Sequence, residues 1–279
     1  MIDCVLAAAL AAAPATQPAG STLAALLARA ADYVAQFEKD FSSIISDEDY
    51  DQKVSGKWYG RKESRNTRSE MLFLHLPEDN TWLTVRNVRS IDHRPIRDSA
   101  KRLDEALNDP NIGDRLTRLR RLRDEGSRFN LGVLRRNINF PTMVLSFLEA
   151  AVQPRFAFRE AAREPVNGID AHRIEYEERQ QPTLVQDEEG RPLVARGTIW
   201  LGDAGAVLKT TLAMEIPASW TSIAVAVDFR RDKKAAMWAP VRMEETYTQR
   251  FMNAIQEKVE CTATYSNFRR FETSVRIVP

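Results

Sequence analysis

Beyond residue 154 the chain alternates apolar and polar residues almost without pause, in seven segments at about 155–160, 170–180, 193–202, 206–216, 222–232, 240–249 and 257–271. A period of two sends successive side chains to opposite faces of a pleated strand. Connections as short as Gly202-Asp203-Ala204-Gly205 and Arg231-Asp232-Lys233-Lys234 fit antiparallel hairpins. Alternation then sorts the faces. Leu208, Leu212, Met214 and Ile216 share one side of their strand, as do Ile223, Val225, Val227 and Phe229, then Val241, Met243 and Tyr247, then Val259, Cys261, Ala263 and Tyr265. Arg242, Glu244, Thr246, Glu260, Thr262 and Thr264 form the opposite, wet side. The expected class is α+β, mainly antiparallel β: a large curved sheet or unclosed barrel with one greasy face and at least three helices to cover it.

The N-terminal half supplies those helices. Leu23, Leu26, Leu27, Ala30, Val34, Phe37, Phe41 and Ile44 recur at steps of three and four behind Ser21 and Thr22, which predicts an amphipathic helix over about 22–45. Such a stripe usually faces the protein's own core. Asp47, Asp49 and Asp51 alternate like the start of a calcium loop, but Gln52 and Trp58 stand where the turn glycine and the bidentate Glu belong. A solvated helix end or turn is expected there. Strands follow at about 52–60, 67–77 and 81–92. In the second, Leu72, Leu74 and Leu76 line one face and Met71, Phe73 and His75 the other, so it belongs inside the sheet. Asp92 to Pro95 reads as a turn. From Asp98 the period is helical, broken at Asn108-Asp109-Pro110. The second piece, about 111–130, carries Arg115, Arg118, Arg120, Arg121 and Arg123, either a phosphate-binding surface or a solvated face with local ion pairs. A short helix after Phe140-Pro141 turns Met143, Val144, Phe147 and Leu148 inward.

A chain of 279 residues with a formal charge of +1 carries no overall electrostatic footprint of nucleic acid or of an anionic membrane, which leaves only local patches to bind either. Residues 1–20 resemble a secretory signal peptide, with an apolar stretch from Val5 to Ala13 and the small-residue pattern Ala13-Pro14-Ala15. Asp3 stands where a basic residue belongs, and Cys4 is too close to the start for lipid attachment. Export is expected, leaving Cys261 as the one thiol and no disulfide framework. No later stretch reaches the roughly 20 apolar residues of a membrane span. The expected division is a leader over 1–20 and one domain over 21–279 with a helical insertion at about 98–150.

Catalytic signatures are thin. His75, His93 and His172 show no metal-ligand spacing. There is no G-x-S-x-G, P-loop or G-x-G-x-x-G. Glu175 and Glu177 share a strand face with Arg173 and Arg179, which suits a salt lattice better than a catalytic pair. Cys261 lies on the apolar face, where a thiol is inert. No enzyme, cofactor or metal is expected; a hydrolase would need a polar cluster in the interior that sequence order does not reveal.

Four segments carry a resemblance. Gly197-Thr198-Ile199-Trp200-Leu201, Ala206-Val207-Leu208-Lys209-Thr210, Met237-Trp238-Ala239-Pro240-Val241-Arg242-Met243 and Ala263-Thr264-Tyr265-Ser266-Asn267-Phe268-Arg269 resemble the distal half of the LolA-like lipoprotein-carrier superfamily. That group has a Trp-containing strand, a hairpin return, a W-x-P strand and a closing Y-S-x-F strand in this order. The chain also resembles an exported family of acidobacteria-type genomes ending in the same Tyr265-Ser266-Asn267-Phe268-Arg269-Arg270-Phe271 run. The layout similarity spans residues 22–279; the motifs lie in about the last 80. Leu201-Gly202-Asp203-Ala204-Gly205 stands where relatives tend to have an acidic-Pro turn, and the insertion is longer than in a simple carrier.

The resemblance implies an unclosed barrel with a helical lid over an apolar cavity for acyl chains. It makes the expected function a periplasmic or secreted carrier for a hydrophobic molecule or acylated protein. The expected lining is Leu208, Met214, Val225, Val227, Phe229, Met243 and Tyr247, the same residues an ordinary filled core would use. The alternative is an envelope interaction or structural protein that meets its partner through Arg115, Arg118 and Arg121. Neither reading involves nucleic acid or a transmembrane segment.

Overall fold

The computed structural model describes residues 22–58, 62–76, 81–133, 136, 140–187, 189–233, 237–252 and 254–271. The expected leader and Ser21 lie outside the described residues. Helix α1 (Leu23–Phe41) leads into β1 (Ile44–Ser55), β2 (Glu63–Leu76), β3 (Thr81–Ile91) and a two-residue β4 (Arg94–Pro95). Next come α2 (Ser99–Leu107), α3 (Ile112–Ser127) and short 3-10 helices at Met143–Leu148 and Gln153–Arg155. The remainder is β5 (Phe156–Val166), β6 (Ile169–Glu178), β7 (Val185–Gln186), β8 (Pro192–Leu193), β9 (Arg196–Leu201), β10 (Val207–Ile216), β11 (Thr221–Asp232), β12 (Met237–Phe251) and β13 (Ala254–Arg270).

Eleven strands form one sheet in the order β4-β3-β2-β1-β13-β12-β11-β10-β9-β6-β5, and β7 pairs with β8 alone. Every described pairing is antiparallel. The ends β4 and β5 are different strands that do not pair, so the sheet is unclosed, with first strand beside last at β1–β13. This is the α+β, mainly antiparallel class expected from the alternation, and the layout the LolA-like resemblance implies.

Two apolar clusters occupy the two faces. One gathers Leu26, Ala30, Val34, Phe37 and Phe41 of α1 with Met71, Phe73, Met214, Phe229, Met243 and Phe147. The other packs Leu103, Ala106 and Leu107 of α2 and Leu119 and Leu122 of α3 on Leu72, Leu83 and Val85. β2 therefore buries Met71 and Phe73 on the α1 face and Leu72 on the α3 face, as its two-sided sequence requires. Thr22 caps α1 by accepting from the Ala25 amide at 3.3 Å. Asn111 caps α3, accepting from the Gly113 and Asp114 amides at 2.9 and 3.2 Å. Gly126 lets α3 close on β3, since a Cβ there would lie 2.4 Å from the Arg86 carbonyl oxygen.

Four expectations need correction. The helix over 22–45 stops at Phe41, because Ser43 turns the chain at φ +65° and the neighbours Ile44 and Ile45 feed opposite faces of the sheet. The acidic patch is strand, not turn: Asp47, Asp49 and Asp51 alternate with buried Glu48, Tyr50 and Gln52 in β1. The apolar segment at 143–148 forms a 3-10 helix. Val241 leaves the apolar series, because the β11–β12 register shifts between Asp228 and Phe229 and passes its place to buried Ala239 and Met237.

The closing run shows how a bulge rescues a pattern. Tyr265 and Phe268 are three apart, which strict alternation would put on opposite faces. Asn267 takes φ +55°, a conformation Asn tolerates, and the β1–β13 register shifts there. Both aromatic rings thus point into the α1 cluster.

Candidate ligand-binding interior

The expected lining converges. Met214, Val225, Val227, Phe229, Met243 and Tyr247 are all buried in the cluster beneath α1. Leu208 is buried too, beside a register shift between Val207 and Lys209, and belongs to neither cluster of described residues. The cover is α1 with the 143–148 turn, tied by aromatic contacts. The Phe41 ring lies 4.6 Å from Phe37, 4.8 Å from Phe73 and 6.1 Å from Phe268, centroid to centroid. At its other end α1 rests on the β9–β10 turn. Gly205, at φ +83°, has no room for a side chain against the Arg29 backbone, and Arg29 Nε donates to the Asp203 carbonyl at 2.8 Å.

The α1 side of the sheet also holds a polar system that the sequence reading passed over. Glu245, 2 % exposed, shares the parity of Met243 and Tyr247. Its carboxylate accepts from Tyr50 Oη at 2.9 Å and from Tyr247 Oη. Arg136 donates to Tyr50 Oη at 3.2 Å, Cys261 Sγ at 2.7 Å and Gln52 Oε1 at 2.6 Å, and lies over the Tyr247 ring at 5.5 Å. Gln52 also ties down the preceding loop, donating to the Phe129 carbonyl and accepting from the Leu131 amide. Next along β1, Glu48 receives both arms of Arg86, at 2.6 and 2.9 Å, while that guanidinium covers the Tyr50 ring. Ser46, Thr67 and Ser69 add buried hydroxyls without a protein partner among the described residues, as a polar ligand atom or ordered water would require.

Burial, reinforced by Glu245, holds Tyr50 and Tyr247 well above the usual phenol range; burial and Glu48 do the same for Tyr265. Burial also raises the Cys261 thiol, with Arg136 opposing in part, which favours its protonated form. For Arg86, burial would lower the pKa, but Glu48 outweighs it and the net shift is upward. A phenol whose folded pKa is raised contributes stability in full below about pH 10, and that contribution is lost as pH climbs toward the folded value. Alkaline titration should therefore show tyrosinate absorbance from these three rings only together with loss of native circular dichroism. Smooth ionisation near pH 10 in a folded protein would contradict the buried network.

Other candidates resolve as structure. Arg115 is 7 % exposed and spends its guanidinium on the Asp109 carbonyl at 2.8 and 3.1 Å, so it corrects to a brace of the α2–α3 turn and is not a partner contact. Arg118 pairs with Asp109 at 3.0 Å and Arg121 with Glu125 at 3.2 Å. Glu175 and Glu177 pair with Arg173 and Arg179, both at 3.1 Å. His75 lies against Trp82. His93 occupies the β3–β4 turn at φ +64°. His172 sits between Glu160 and Asp203, at 2.6 and 2.9 Å, and with Arg163 it holds the Asp203 carboxyl below the usual range. Among the described residues no His, Cys, Asp and Glu group has a metal-binding arrangement, and no helix is long and apolar enough to cross a membrane.

Fold and interior together define an unclosed antiparallel sheet with a helix laid over an apolar face. No family model matches the chain, and no curated protein matches it. Among solved structures it is similar to a DUF1329 family protein from Desulfovibrio piger, at 11 % identity over 90 % of this chain and 95 % of that one, TM-score 0.35. It is similar to a LolA superfamily protein from Nitrosomonas europaea at 8 % identity over 87 % and 94 %, TM-score 0.32. A candidate outer-membrane lipoprotein-sorting domain from Vibrio parahaemolyticus gives 13 % identity over 88 % and 93 %, TM-score 0.32. At scores this low, nothing these proteins do is transferred to this chain, whose chemistry is read from its own residues.

Proposed function

We propose that the chain is a non-enzymatic carrier that holds the acyl part of a lipid or acylated protein between its sheet and α1, in the periplasm or outside the cell. The supporting observation is the construction of the cover. α1 packs its apolar stripe on the sheet and joins β1 through Ser42 and Ser43; backbone bonds to Phe73 and Phe271 hold Ser43, which leaves Ser42 as the point about which α1 could swing. Glu245, Tyr50, Tyr247 and Arg136 would meet the polar end of such a ligand. The alternative, an envelope interaction protein acting through Arg118 and Arg121, relies on cations already paired with Asp109 and Glu125.

Magnitudes set the ligand's size. Lifting α1 exposes Leu26, Val34, Phe37 and Phe41, each costing about 1.5–3 kcal/mol, or roughly 6–12 kcal/mol together. A buried methylene returns about 0.8 kcal/mol, so about 8–15 methylenes are needed to offset the cost. Hexadecanoate-length chains should displace a fluorescent acyl probe while octanoate-length chains should not. Equal failure of both, or no dependence on length, would sink the carrier reading.

A further inference from the structure

Six large apolar side chains stand exposed at one end of the strands, far in sequence but joined in space. Trp58 follows β1, Trp220 sits between β10 and β11, Phe251, Met252 and Ile255 surround the β12–β13 turn, and Val133 lies in the segment after α3. Backbone bonds hold these turns together. The Trp58 amide donates to the Gln256 carbonyl at 3.2 Å and the Arg250 amide to the Trp220 carbonyl at 3.0 Å. The Val133 amide donates to the Glu257 carboxylate at 3.0 Å. Trp220 and Met252 lie at φ +52° and +47°, at the tips of their turns, 70 % and 85 % exposed. Exposed apolar residues gathered in this way mark an interaction site.

The surrounding charge selects the partner. Lys57, Lys62 and Arg250 are exposed on the same rim. Of the nearby carboxylates, Glu257 is buried and holds the Val133 amide, Glu215 faces Arg196 at 3.6 Å, and Glu63 is exposed. Tryptophan favours the membrane–water interface, and cations beside it favour anionic headgroups. A stable protein interface buries roughly 800 Å² a side in matched shapes, whereas a headgroup layer needs only apolar tips and cations. We propose that this rim docks on a bilayer surface bearing anionic phospholipid. α1 meets β1 at the strand's opposite end, so docking leaves the cover free.

Flotation of the full chain with phosphatidylglycerol-containing and pure phosphatidylcholine vesicles tests this. The wild type should float with the anionic vesicles, lose binding as salt rises, and show tryptophan quenching by brominated lipid. The exposed triple variant Trp220→Ser, Phe251→Ser and Met252→Ser should bind at least tenfold more weakly while keeping wild-type melting and acyl-probe binding. Flotation unchanged in the triple variant, or absent from the wild type, would overturn the proposal. So would a wild-type dimer without vesicle binding that the triple variant dissolves, since a second copy would then own the rim.

Discussion

Arg86→Met is expected to lower unfolding stability by about 3–5 kcal/mol, read as a shift in the urea midpoint. The Arg86 side chain is almost wholly buried and Glu48 entirely so, with the guanidinium meeting the carboxylate through two hydrogen bonds. Removing the cation leaves a carboxylate in a dry interior, beside a Tyr265 ring already held protonated by burial and Glu48. The loss should come mainly from the stranded charge and not from the pair's own attraction. Glu48→Leu combined with Arg86→Met should therefore recover most of the stability, since an apolar pair of similar volume replaces a buried ion pair at little cost. If the double variant is as unstable as the single, Arg86 is holding up packing and the electrostatic account is wrong.

Phe41→Ala should cost a further independent 3–5 kcal/mol or so, the range for removing a buried ring and leaving a cavity. Phe41 is fully buried at the last turn of α1, where it meets Phe37, Phe73 and Phe268 and so joins helix, second strand and last strand. Because it sits beside the hinge, the loss should fall on the closed position of α1 before it falls on the sheet. Hydrogen exchange of the α1 amides reports this. Their labelling in native conditions should speed up in Phe41→Ala well below the denaturant needed for global unfolding. If labelling and unfolding remain coincident, α1 is an integral layer of the core and not a cover.

Much of this molecule was legible from alternation. Of the nine C-terminal strands, the seven in the large sheet fall close to where period-two patterning puts them, with β5 running past its expected end to Val166, and the two-sided apolar run around Leu72 and Phe73 does place β2 between two neighbours. Alternation fails where the backbone adds a residue, as at Val241, or changes period without a breaker, as at Phe41 to Ile44, where the i+3 spacing of a helix continues into a strand. The interior's chemistry was harder to see. Glu245 was detectable by its parity with Met243 and Tyr247, but an acid at an inward position reads as an exception until Tyr50, nearly 200 residues earlier, is seen donating to it. Arg136 gave no signal, because it reaches the interior from a loop with no periodicity to assign it a face. Arg115 misled for the opposite reason: in a helix rich in arginine, composition does not reveal which one turns inward.

Native mass spectrometry of the full chain, purified gently from an expressing bacterium and followed by lipid extraction, tests the carrier account most directly. The account predicts a co-purifying acyl species of defined mass with a chain of about 8–15 methylenes or longer, released when Val227 is replaced by Arg in the buried lining. A protein that arrives empty and refuses added long-chain fatty acids and phospholipids would contradict it, and would make the face beneath α1 a filled core.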